Sequence, residues 1–250
     1  MGAGLGPVLL KAVPRGHRRV RATRSAPAGA PGAARCAESR PVNAPGDAAS
    51  CLLVVDAQYG FMPGGGLPVP QGDAIVPVVN RMAPRFANAV LTQDWHPADH
   101  VSFAANHPGR QPYETLTLAY GEQVLWPTHC VQGTRDAALH ESLCVPQAQM
   151  VIRKGFQREV DSYSAFVEAD RRTTTGLAAY LTARGIRSLY LCGLATDFCV
   201  AWSALDARAA GFEVAVIEDA CRAIDLDGSL ARAWADMAAA GVRRLRSSDI

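Results

Sequence analysis

The sequence has no long apolar run and no internal repeat. None of its apolar stretches approaches the roughly 18 residues that a membrane-spanning helix requires, so we expect no membrane partner. Charged residues make up only 19% of the 250 residues, and hydrophobic residues make up 49%. This balance is typical of a globular protein with a sizeable core.

Cysteine is present, but not in a disulfide pattern. The seven cysteines are an odd number, and they are scattered along a chain too long to be a disulfide-stapled miniprotein. Thiols in such a chain are reduced, as they are inside cells. We therefore expect a cytoplasmic protein in which at most one or two cysteines have a special role.

Acidic side chains are scarce at the N-terminal end. Of the 25 basic and 23 acidic residues, residues 1–45 hold eight basic and one acidic, so the rest carries 17 basic and 22 acidic. A mildly acidic body argues against a nucleic-acid partner. Residues 1–48 are rich in Ala, Gly, Pro and Arg, which predicts a disordered extension. A targeting segment, a basic arm and a dispensable extension all stay open.

From residue 49 onward, apolar runs alternate with helical patterns. The runs typical of strands are "CLLVVDAQ", "NAVLTQDWH", "AQMVIRKG", "IRSLYLCG", "FEVAVIEDA" and "VRRLRS". Helical patterns occupy about residues 73–87, "TTTGLAAYLTARG", "CVAWSALDARAAG" and "SLARAWADMAAAG", and about residues 97–147 are irregular. The alternation predicts one α/β domain, residues 49–250, with three α/β/α layers around a six-stranded, mostly parallel sheet.

Polar residues follow several of these strands. Asp56, Asp94 with His96, Lys154 and the "GLATDFC" turn all lie where a predicted strand ends. The carboxyl ends of parallel strands share one edge of the sheet, and ligands bind at that edge. We therefore expect these residues to meet at one site.

Cys199 closes that turn, at the start of a predicted helix. The helix N-terminus stabilises a thiolate there, and its free amides can hold the oxyanion of an attacked carbonyl group. Lys154 favours the same charged form of the thiol, and Asp56 can relay the thiol proton. These three residues predict nucleophilic acyl transfer. The alternative is structural: a buried cysteine, a solvent-facing lysine and an aspartate in a turn.

A second group combines a carboxylate with imidazoles. Asp94 and His96 are two residues apart at a strand end, so their side chains point the same way. His129 and His100 are further candidates. Such a set suits Zn, Fe or Mn, with open positions for water or substrate. The alternative is a polar loop whose histidines are only hydrogen-bonded.

Five stretches, taken together, resemble one known family. They are "VVDAQ.GFMPGGGLPV", "TQDWHPADHVSFA", "WPTHCVQGT", "VIRKGFQREVDSYSAF" and "GLATDFCV.....DA...GF.V.VI.DACR". They cover about residues 51–250 in order and resemble the nicotinamidase/pyrazinamidase branch of the isochorismatase-like cysteine hydrolases. The resemblance implies a six-stranded parallel sheet flanked by helices, which agrees with the strand pattern.

The resemblance also implies roles for individual residues. The family's catalytic triad falls on Asp56, Lys154 and Cys199. Its metal ligands fall on Asp94, His96 and His129. At the position of His100 some members provide a further ligand and others a water-mediated contact, so both roles stay open. The family's aromatic positions imply that the substrate ring is walled by Phe61, Trp95 and Tyr163; Phe61 and Trp95 can serve in loop packing instead.

The implied activity is hydrolysis of nicotinamide to nicotinate and ammonia, as in NAD salvage, with pyrazinamide as a further substrate. Asp56 would accept the proton of Cys199, whose thiolate would form a thioester with the acyl group. A cis peptide expected at Leu194–Ala195 would aim the amides of Ala195 and Cys199 at the oxyanion. One divalent metal ion would position the pyridine ring. A homo-oligomer stays open.

Other functions remain to be weighed against this one. A carbamoyl or ureido amidase of the same superfamily would share the triad but should lack the Asp94, His96 and His129 cluster. Isochorismate hydrolysis cleaves an ether and needs no thiol, so Cys199 counts against it. A non-catalytic metal-binding or scaffolding copy would have lost a triad residue, and a thiol redox sensor would not need the metal cluster.

Overall fold

A parallel sheet of six strands forms the centre of the protein. The structure, a computed structural model, describes residues 43–250. Its strands are β1 (Ser50–Val55), β2 (Ala89–Asp94), β3 (Thr115–Leu118), β4 (Gly121–Val124), β5 (Ala148–Lys154), β6 (Ser188–Leu194), β7 (Glu213–Arg222) and β8 (Arg243–Leu245). The sheet has the order β5-β2-β1-β6-β7-β8, and every neighbouring pair is parallel. All six predicted strands are therefore confirmed.

Strands β3 and β4 were missed by the sequence analysis. They form a separate antiparallel hairpin inside the section that the sequence pattern left irregular. Each strand has only four residues, and most of these side chains are exposed or half-buried, so the apolar signal is weak. The exception is Gln123 on β4, which is buried and reaches the functional site described below.

Within residues 43–250, four α-helices accompany the sheet, at the positions that the sequence predicted. They are α1 (Ile75–Met82), α2 (Leu177–Ala183), α3 (Ala201–Ala209) and α4 (Ser229–Ala239). Each is shorter than its sequence pattern because turns replace the ends. Helix α1, for example, is flanked by 3-10 turns at Gly72–Ala74 and Ala83–Arg85. It buries Ile75, Val76, Val79 and Met82, which recur at helical spacing.

The central strands are covered on both faces. Every residue of β1, β2 and β6 is buried, which requires packing layers above and below the sheet and confirms the three-layer fold. Strand β5 differs, because it is an edge strand with alternate residues exposed; Val151, for instance, is 46% exposed. Lys154, at the end of this strand, is nonetheless fully buried.

The predicted extension, residues 1–48, falls largely on residues 1–42, which lie outside the described residues. Its last part contacts the domain: the Asn43 amide donates to Ser188 Oγ at 2.8 Å, and the Tyr190 hydroxyl donates to the Asn43 carbonyl at 2.6 Å. Asn43 thus contacts the domain, while the boundary at residue 49 stays a prediction. None of the helices within residues 43–250 has the length and apolar character needed to cross a bilayer.

Candidate active site

Four neighbouring strands deliver polar residues to one edge of the sheet. Strands β5, β2, β1 and β6 lie side by side, and their carboxyl ends carry Lys154, Asp94, Asp56 and the turn with Cys199. Asp94 and Lys154 are direct partners in the β2–β5 register. Chain order reverses between β1 and β6, the position where such sheets bind ligands. The residues selected from the sequence therefore meet at one place.

Cys199 lies in the first turn of a helical segment. A π-helical turn, Thr196–Val200, follows β6 and runs directly into α3. The peptide bond Leu194–Ala195, immediately before this turn, is cis, as the family resemblance implied. Cys199 is buried but lines a cavity, whereas Cys192 is enclosed within β6. The two thiols of this stretch therefore have different environments.

Lys154 connects the thiol to two carboxylates. Its Nζ is 2.9 Å from Asp56 Oδ2 and 3.4 Å from Cys199 Sγ, and it forms an ion pair with Asp94 Oδ1. It also donates to the Ser162 carbonyl at 3.1 Å. Although burial alone would lower it, the pKa of Lys154 is raised well above its ordinary value by Asp56 and Asp94. The ammonium is therefore charged, and the solvent-facing alternative for this residue is wrong.

Asp56 has one oxygen in a hydrogen bond and one that faces the thiol and the ammonium. Its Oδ1 accepts from Thr92 Oγ1 at 2.5 Å, and the Asp56 amide donates to Thr92 Oγ1 at 3.0 Å. Oδ2 contacts Lys154 Nζ without the angle of a hydrogen bond and has no other partner among the described residues. Atoms of Asp56, Asp94 and Cys199 lie within 4.8 Å of one another. Asp56 Oδ2 is thus free to take a proton from Cys199.

The surroundings of Cys199 favour its neutral thiol. Burial raises the pKa of Cys199 well above its ordinary value, and the carboxylates of Asp56 and Asp94 add to this rise, while Lys154 opposes it. Burial and two acids thus outweigh the favourable effect of Lys154 on the thiolate. Burial and Asp94 also raise the pKa of Asp56, against Lys154. A carboxylate of raised pKa is a better proton acceptor.

Beside this group lies a cluster suited to a metal ion. Ligating atoms of Asp94, His96 and His129 lie within 4.8 Å of one another, and all three side chains are buried. The His96 and His129 Nε2 atoms are 3.6 Å and 3.8 Å from Asp94 Oδ2. Although burial alone would raise it, Lys154 and His96 hold the pKa of Asp94 well below its ordinary value, so a carboxylate is available. One carboxylate and two imidazoles suit a divalent metal.

Both imidazoles are oriented for this role. The Nδ1 of His96 is 2.8 Å from the Gly155 carbonyl, and the Nδ1 of His129 is 2.8 Å from the Pro127 carbonyl. A carbonyl oxygen can only accept, so each Nδ1 carries a proton, and each Nε2 is the nitrogen that faces Asp94. Cys130 takes no part, because its sulfur points to the Asp136 carbonyl at 3.7 Å.

Gly155 is required by this arrangement, and its replacement provides a test. Its φ is +63°, and a Cβ there would lie 2.4 Å from His96 Cε1. We expect Gly155→Ala to weaken metal binding about 10- to 100-fold by displacing His96. Gly185→Ala is the control, since its φ is +72° but a Cβ would meet no described atom within 4 Å. Equal metal affinities of the two variants, measured by chelator competition, would contradict the expectation.

His100 stands behind this cluster rather than within it. Its Nε2 donates to the Val160 carbonyl at 3.2 Å, and its Nδ1 accepts from Ser102 Oγ at 2.7 Å. Burial, with the neighbouring His96, lowers the pKa of His100 to about 4, so the ring is neutral. Both ring nitrogens therefore have protein partners. This favours an indirect contact with the metal over direct ligation.

A narrow cavity of about 20 Å³ opens onto both groups. Its mainly apolar wall is formed by Phe61, Leu67, Trp126, Tyr163, Phe198 and Ile224. The rings of Trp126 and Phe198 are perpendicular, with centroids 4.9 Å apart. Phe61 and Tyr163 were predicted to lie here. Trp126 and Phe198 were missed, although they are the aromatic residues of the "WPTHC" and "TDFCV" stretches.

Trp95 is the exception among the predicted wall residues. It is absent from the cavity wall formed by the described residues, and the guanidinium of Arg153 lies 3.7 Å from the centre of its ring. Because residue 95 lies between Asp94 and His96 on an extended chain, its side chain points away from theirs. The loop-packing alternative therefore describes Trp95 better.

The sequence analysis also missed a buried acid on the cavity wall. Asp161 Oδ2 accepts from the amide of Gln123 at 2.6 Å, and this amide also lies 3.3 Å from the Tyr163 hydroxyl. The hairpin thus supports one wall of the cavity. Another missed residue is Gln58, whose side-chain amide bonds both the amide and the carbonyl of Asp94 at 2.8 Å. The "VVDAQ" stretch already contained it.

A wider groove lies elsewhere, between β7, β8 and α4. It is open to solvent and is lined by charged residues that pair with one another, such as Arg244 with Glu218. Its cysteine, Cys221, is buried, and burial raises its pKa to about 12. This groove therefore offers no activated nucleophile.

Glu168, in the loop between β5 and α2, predicts a pH effect on stability. It is buried, and its Oε2 has no hydrogen-bond partner among the described residues. Burial, together with Asp170 and Asp161, raises its pKa to about 7. The folded protein holds this proton more tightly than the unfolded chain, so stability from this group is lost as the pH rises from about 4.5 to about 7.

Replacing Glu168 with glutamine should remove that loss. The stability of Glu168→Gln relative to the wild type, measured as the free energy of unfolding, should be about 1–2 kcal/mol higher at pH 8 than at pH 5. Urea denaturation at both pH values measures the difference. The exposed Glu141→Gln serves as the control, and the same pH response in both variants would contradict the prediction.

Comparison with known proteins connects this geometry to a family. The chain matches the model of the isochorismatase domain over residues 50–249. It is 59% identical over 199 residues to the nicotinamidase of Acinetobacter baylyi, an alignment that covers 80% of this chain and 93% of that protein.

Two solved structures with the same fold are complexes with a ligand. PnC1 from L. infantum, in complex with nicotinate, is 39% identical with a TM-score of 0.71, covering 81% of this chain and 95% of that one. The pyrazinamidase of Pyrococcus horikoshii, in complex with zinc, is 35% identical with a TM-score of 0.65, covering 79% of this chain and 99% of that one. The present chain is similar to both along nearly their whole length.

Proposed function

This chain belongs to the isochorismatase family, and we propose that it hydrolyses nicotinamide to nicotinate and ammonia. The observation that carries the proposal is the convergence of Asp56, Lys154 and Cys199 beside the Asp94, His96 and His129 cluster. The 59% identity to a nicotinamidase supports the same substrate.

The first half of the reaction forms a thioester and releases ammonia. Asp56 Oδ2 takes the proton of Cys199, and Sγ attacks the carboxamide carbon. The amides of Ala195 and Cys199 hold the oxyanion, and the Lys154 ammonium stabilises the negative charge that moves through the site. The carbon–nitrogen bond then breaks, and the amine leaves as ammonia with the proton from Asp56.

The second half hydrolyses the thioester with the same residues. Asp56, again a carboxylate, takes a proton from a water molecule, whose oxygen attacks the thioester carbon. The carbon–sulfur bond breaks, Cys199 regains its proton from Asp56, and nicotinate leaves. In each half of the reaction Asp56 acts first as a base and then as an acid. Its neighbours, the Lys154 ammonium and the Asp94 carboxylate, shift its pKa in opposite directions and so permit both roles.

Asp94, His96 and His129 would hold one divalent metal ion. Two Nε2 atoms and a carboxylate oxygen converge in a buried site, so the donor set fits Zn, Fe or Mn. When bound, the ion would supply a Lewis-acidic positive charge that binds the pyridine nitrogen or a water. The zinc in the similar pyrazinamidase supports a metal without deciding its identity here. His100 would support the site from behind.

The aromatic wall would hold the pyridine ring. Phe61, Tyr163, Trp126 and Phe198 line the space next to Cys199, and aromatic side chains favour contact with a flat heteroaromatic ring. Pyrazinamide, which has the same amide and ring nitrogen, is therefore a second proposed substrate.

This activity would place the enzyme in NAD salvage in the cytoplasm. The six cysteines of the described part are all free, which suits a reducing compartment. The proposed partner is the small-molecule substrate. Whether the protein forms a homo-oligomer stays open and can be tested by light scattering. Disorder of the extension, residues 1–48, stays a prediction.

The test is ammonia release from nicotinamide by the purified protein. We expect turnover in the wild type, its loss after removal of metal with a chelator, and its return when Zn, Fe or Mn is added. No release by metal-reloaded protein would contradict the proposal, and ureido compounds would then be the next substrates to assay.

A further inference from the structure

Two loops that are far apart in the sequence form one side of the active site. The loop after β1, about residues 57–72, carries Phe61 and Leu67 of the cavity wall. The segment after β4 carries Trp126 and the proposed ligand His129. Apart from one 3-10 turn, Tyr59–Phe61, and single bridges, this part of the two loops has no regular structure to hold it.

Asp136 joins these loops through both its side chain and its backbone. Its Oδ1 accepts from the Gly66 amide at 3.0 Å, and its Oδ2 accepts from the Cys130 amide at 2.7 Å. Its own carbonyl accepts from the Gly60 amide at 2.8 Å. Three backbone donors from two loops therefore meet on one aspartate. Bonds between amides and a charged carboxylate are stronger than neutral ones.

The two glycines make the close approach feasible. A Cβ at Gly60 would lie 2.7 Å from Asp136 Oδ2, and a Cβ at Gly66 would lie 2.4 Å from the Thr128 carbonyl and 3.0 Å from His129 Cα. The first loop therefore lies directly on the backbone of the second, next to the carboxylate. Only residues without a side chain fit there.

The hydrogen bond from the Cys130 amide to Asp136 lies next to the proposed metal site. Cys130 follows His129 and has a φ of +45°, which is unusual for a residue other than glycine. The bond from the Cys130 amide to Asp136 holds this conformation and hence the backbone of His129. The ring of Phe61 lies 5.4 Å from that of His129, so the cavity wall and the ligand are held together.

We propose that Asp136 is a positioning residue for His129 and for the cavity wall around Phe61. It touches neither the reacting atoms nor the metal, and it acts through the backbone of the two loops. The inference rests on the proposed function, in which His129 is a metal ligand. It assigns to Asp136 a role in metal affinity and ring binding.

The test compares Asp136→Ala and Asp136→Asn with Asp170→Asn. Asp170 is a matched control because its Oδ1 also accepts two backbone amides, those of Arg172 and Thr173, within its own loop. The dissociation constant of Co²⁺ is measured by competition with a coloured chelator, and the visible absorption of bound Co²⁺ reports the ligand geometry. Neither readout needs turnover of nicotinamide, so a failure of the proposed function is distinguished from a failure of this inference.

We expect Asp136→Ala to weaken Co²⁺ binding about 10- to 100-fold and to change its visible spectrum, as loss of residues that orient ligands does. Asp136→Asn keeps one acceptor oxygen, so its affinity for Co²⁺ should lie between those of the alanine variant and the wild type. It also decides the test if the alanine variant does not fold. With metal saturating, the KM for nicotinamide should rise more than kcat falls. Wild-type Co²⁺ affinity and spectrum in both Asp136 variants, or an equal weakening in Asp170→Asn, would overturn the inference.

Discussion

Cys199→Ala is expected to lower kcat for nicotinamide by about 10⁴-fold or more, because the thioester cannot form without the sulfur nucleophile. Nicotinamide should still bind, since the aromatic wall and the proposed metal ligands are unchanged. Ammonia release measures the first effect, and calorimetric titration measures the second. Mass spectrometry of acid-quenched wild-type enzyme should show the acyl group on Cys199.

A second buried cysteine provides the control for this substitution. Cys192 is enclosed in β6, and its sulfur contacts only the Leu53 carbonyl, at 3.9 Å, among hydrogen-bonding groups of the described chain. We expect Cys192→Ala to cost about 1 kcal/mol of stability and to leave kcat nearly unchanged. Activity retained in Cys199→Ala, or lost equally in both variants, would rule out Cys199 as the nucleophile.

Lys154→Met is expected to have the largest effect on stability. The substitution leaves Asp56 and Asp94 buried beside each other without their shared cation, and an uncompensated buried charge costs about 3–5 kcal/mol. Activity should be lost as well, because the cation that stabilises charge in the site is gone. Urea denaturation and ammonia release measure the two effects.

The pH dependence of this loss gives a sharper test. Protonation of one carboxylate removes the repulsion, so the destabilisation of Lys154→Met should be smaller at pH 5 than at pH 8. Arg153→Met, one residue earlier on the exposed side of β5, is the control and should cost less than about 1 kcal/mol. A pH-independent loss for Lys154→Met would argue that packing, rather than charge, is what Lys154 supplies.

Lysine itself is rare in this chain. Arginine supplies 23 of the 25 basic side chains, and the two lysines are Lys11 and Lys154. A compact ammonium with three donors fits the enclosed space between Asp56, Asp94 and Cys199, whereas a planar guanidinium would not. The choice of lysine at this position is thus explained by the site rather than by the general use of basic residues.

The strand pattern could be predicted because apolar runs and the polar residues that end them are local features. The runs before Asp56, Asp94 and Lys154 each predicted a strand, and the rule that carboxyl ends share an edge predicted their meeting. The sequence could not predict the order β5-β2-β1-β6, which depends on packing between distant segments. That order is what makes Asp94 and Lys154 direct partners.

The residues that hold the site together escaped the sequence analysis for a related reason. Asp136, Gln58 and Gln123 lie in loops or in a half-exposed hairpin, where no periodicity marks a buried polar side chain. Their partners are backbone amides and carbonyls of segments far along the chain. Such contacts become visible only when the loops are placed against one another.

By itself, the sequence determined the α/β class, the six strands and the choice of residues for the triad and the metal cluster. Hydrophobic periodicity and residue type are local features that can be read directly from the sequence. The tertiary structure decided the surroundings of those groups. Burial and two acids raise the pKa of the Cys199 thiol, and Trp95 faces Arg153 rather than the cavity, because the neighbours of a side chain depend on how distant segments pack.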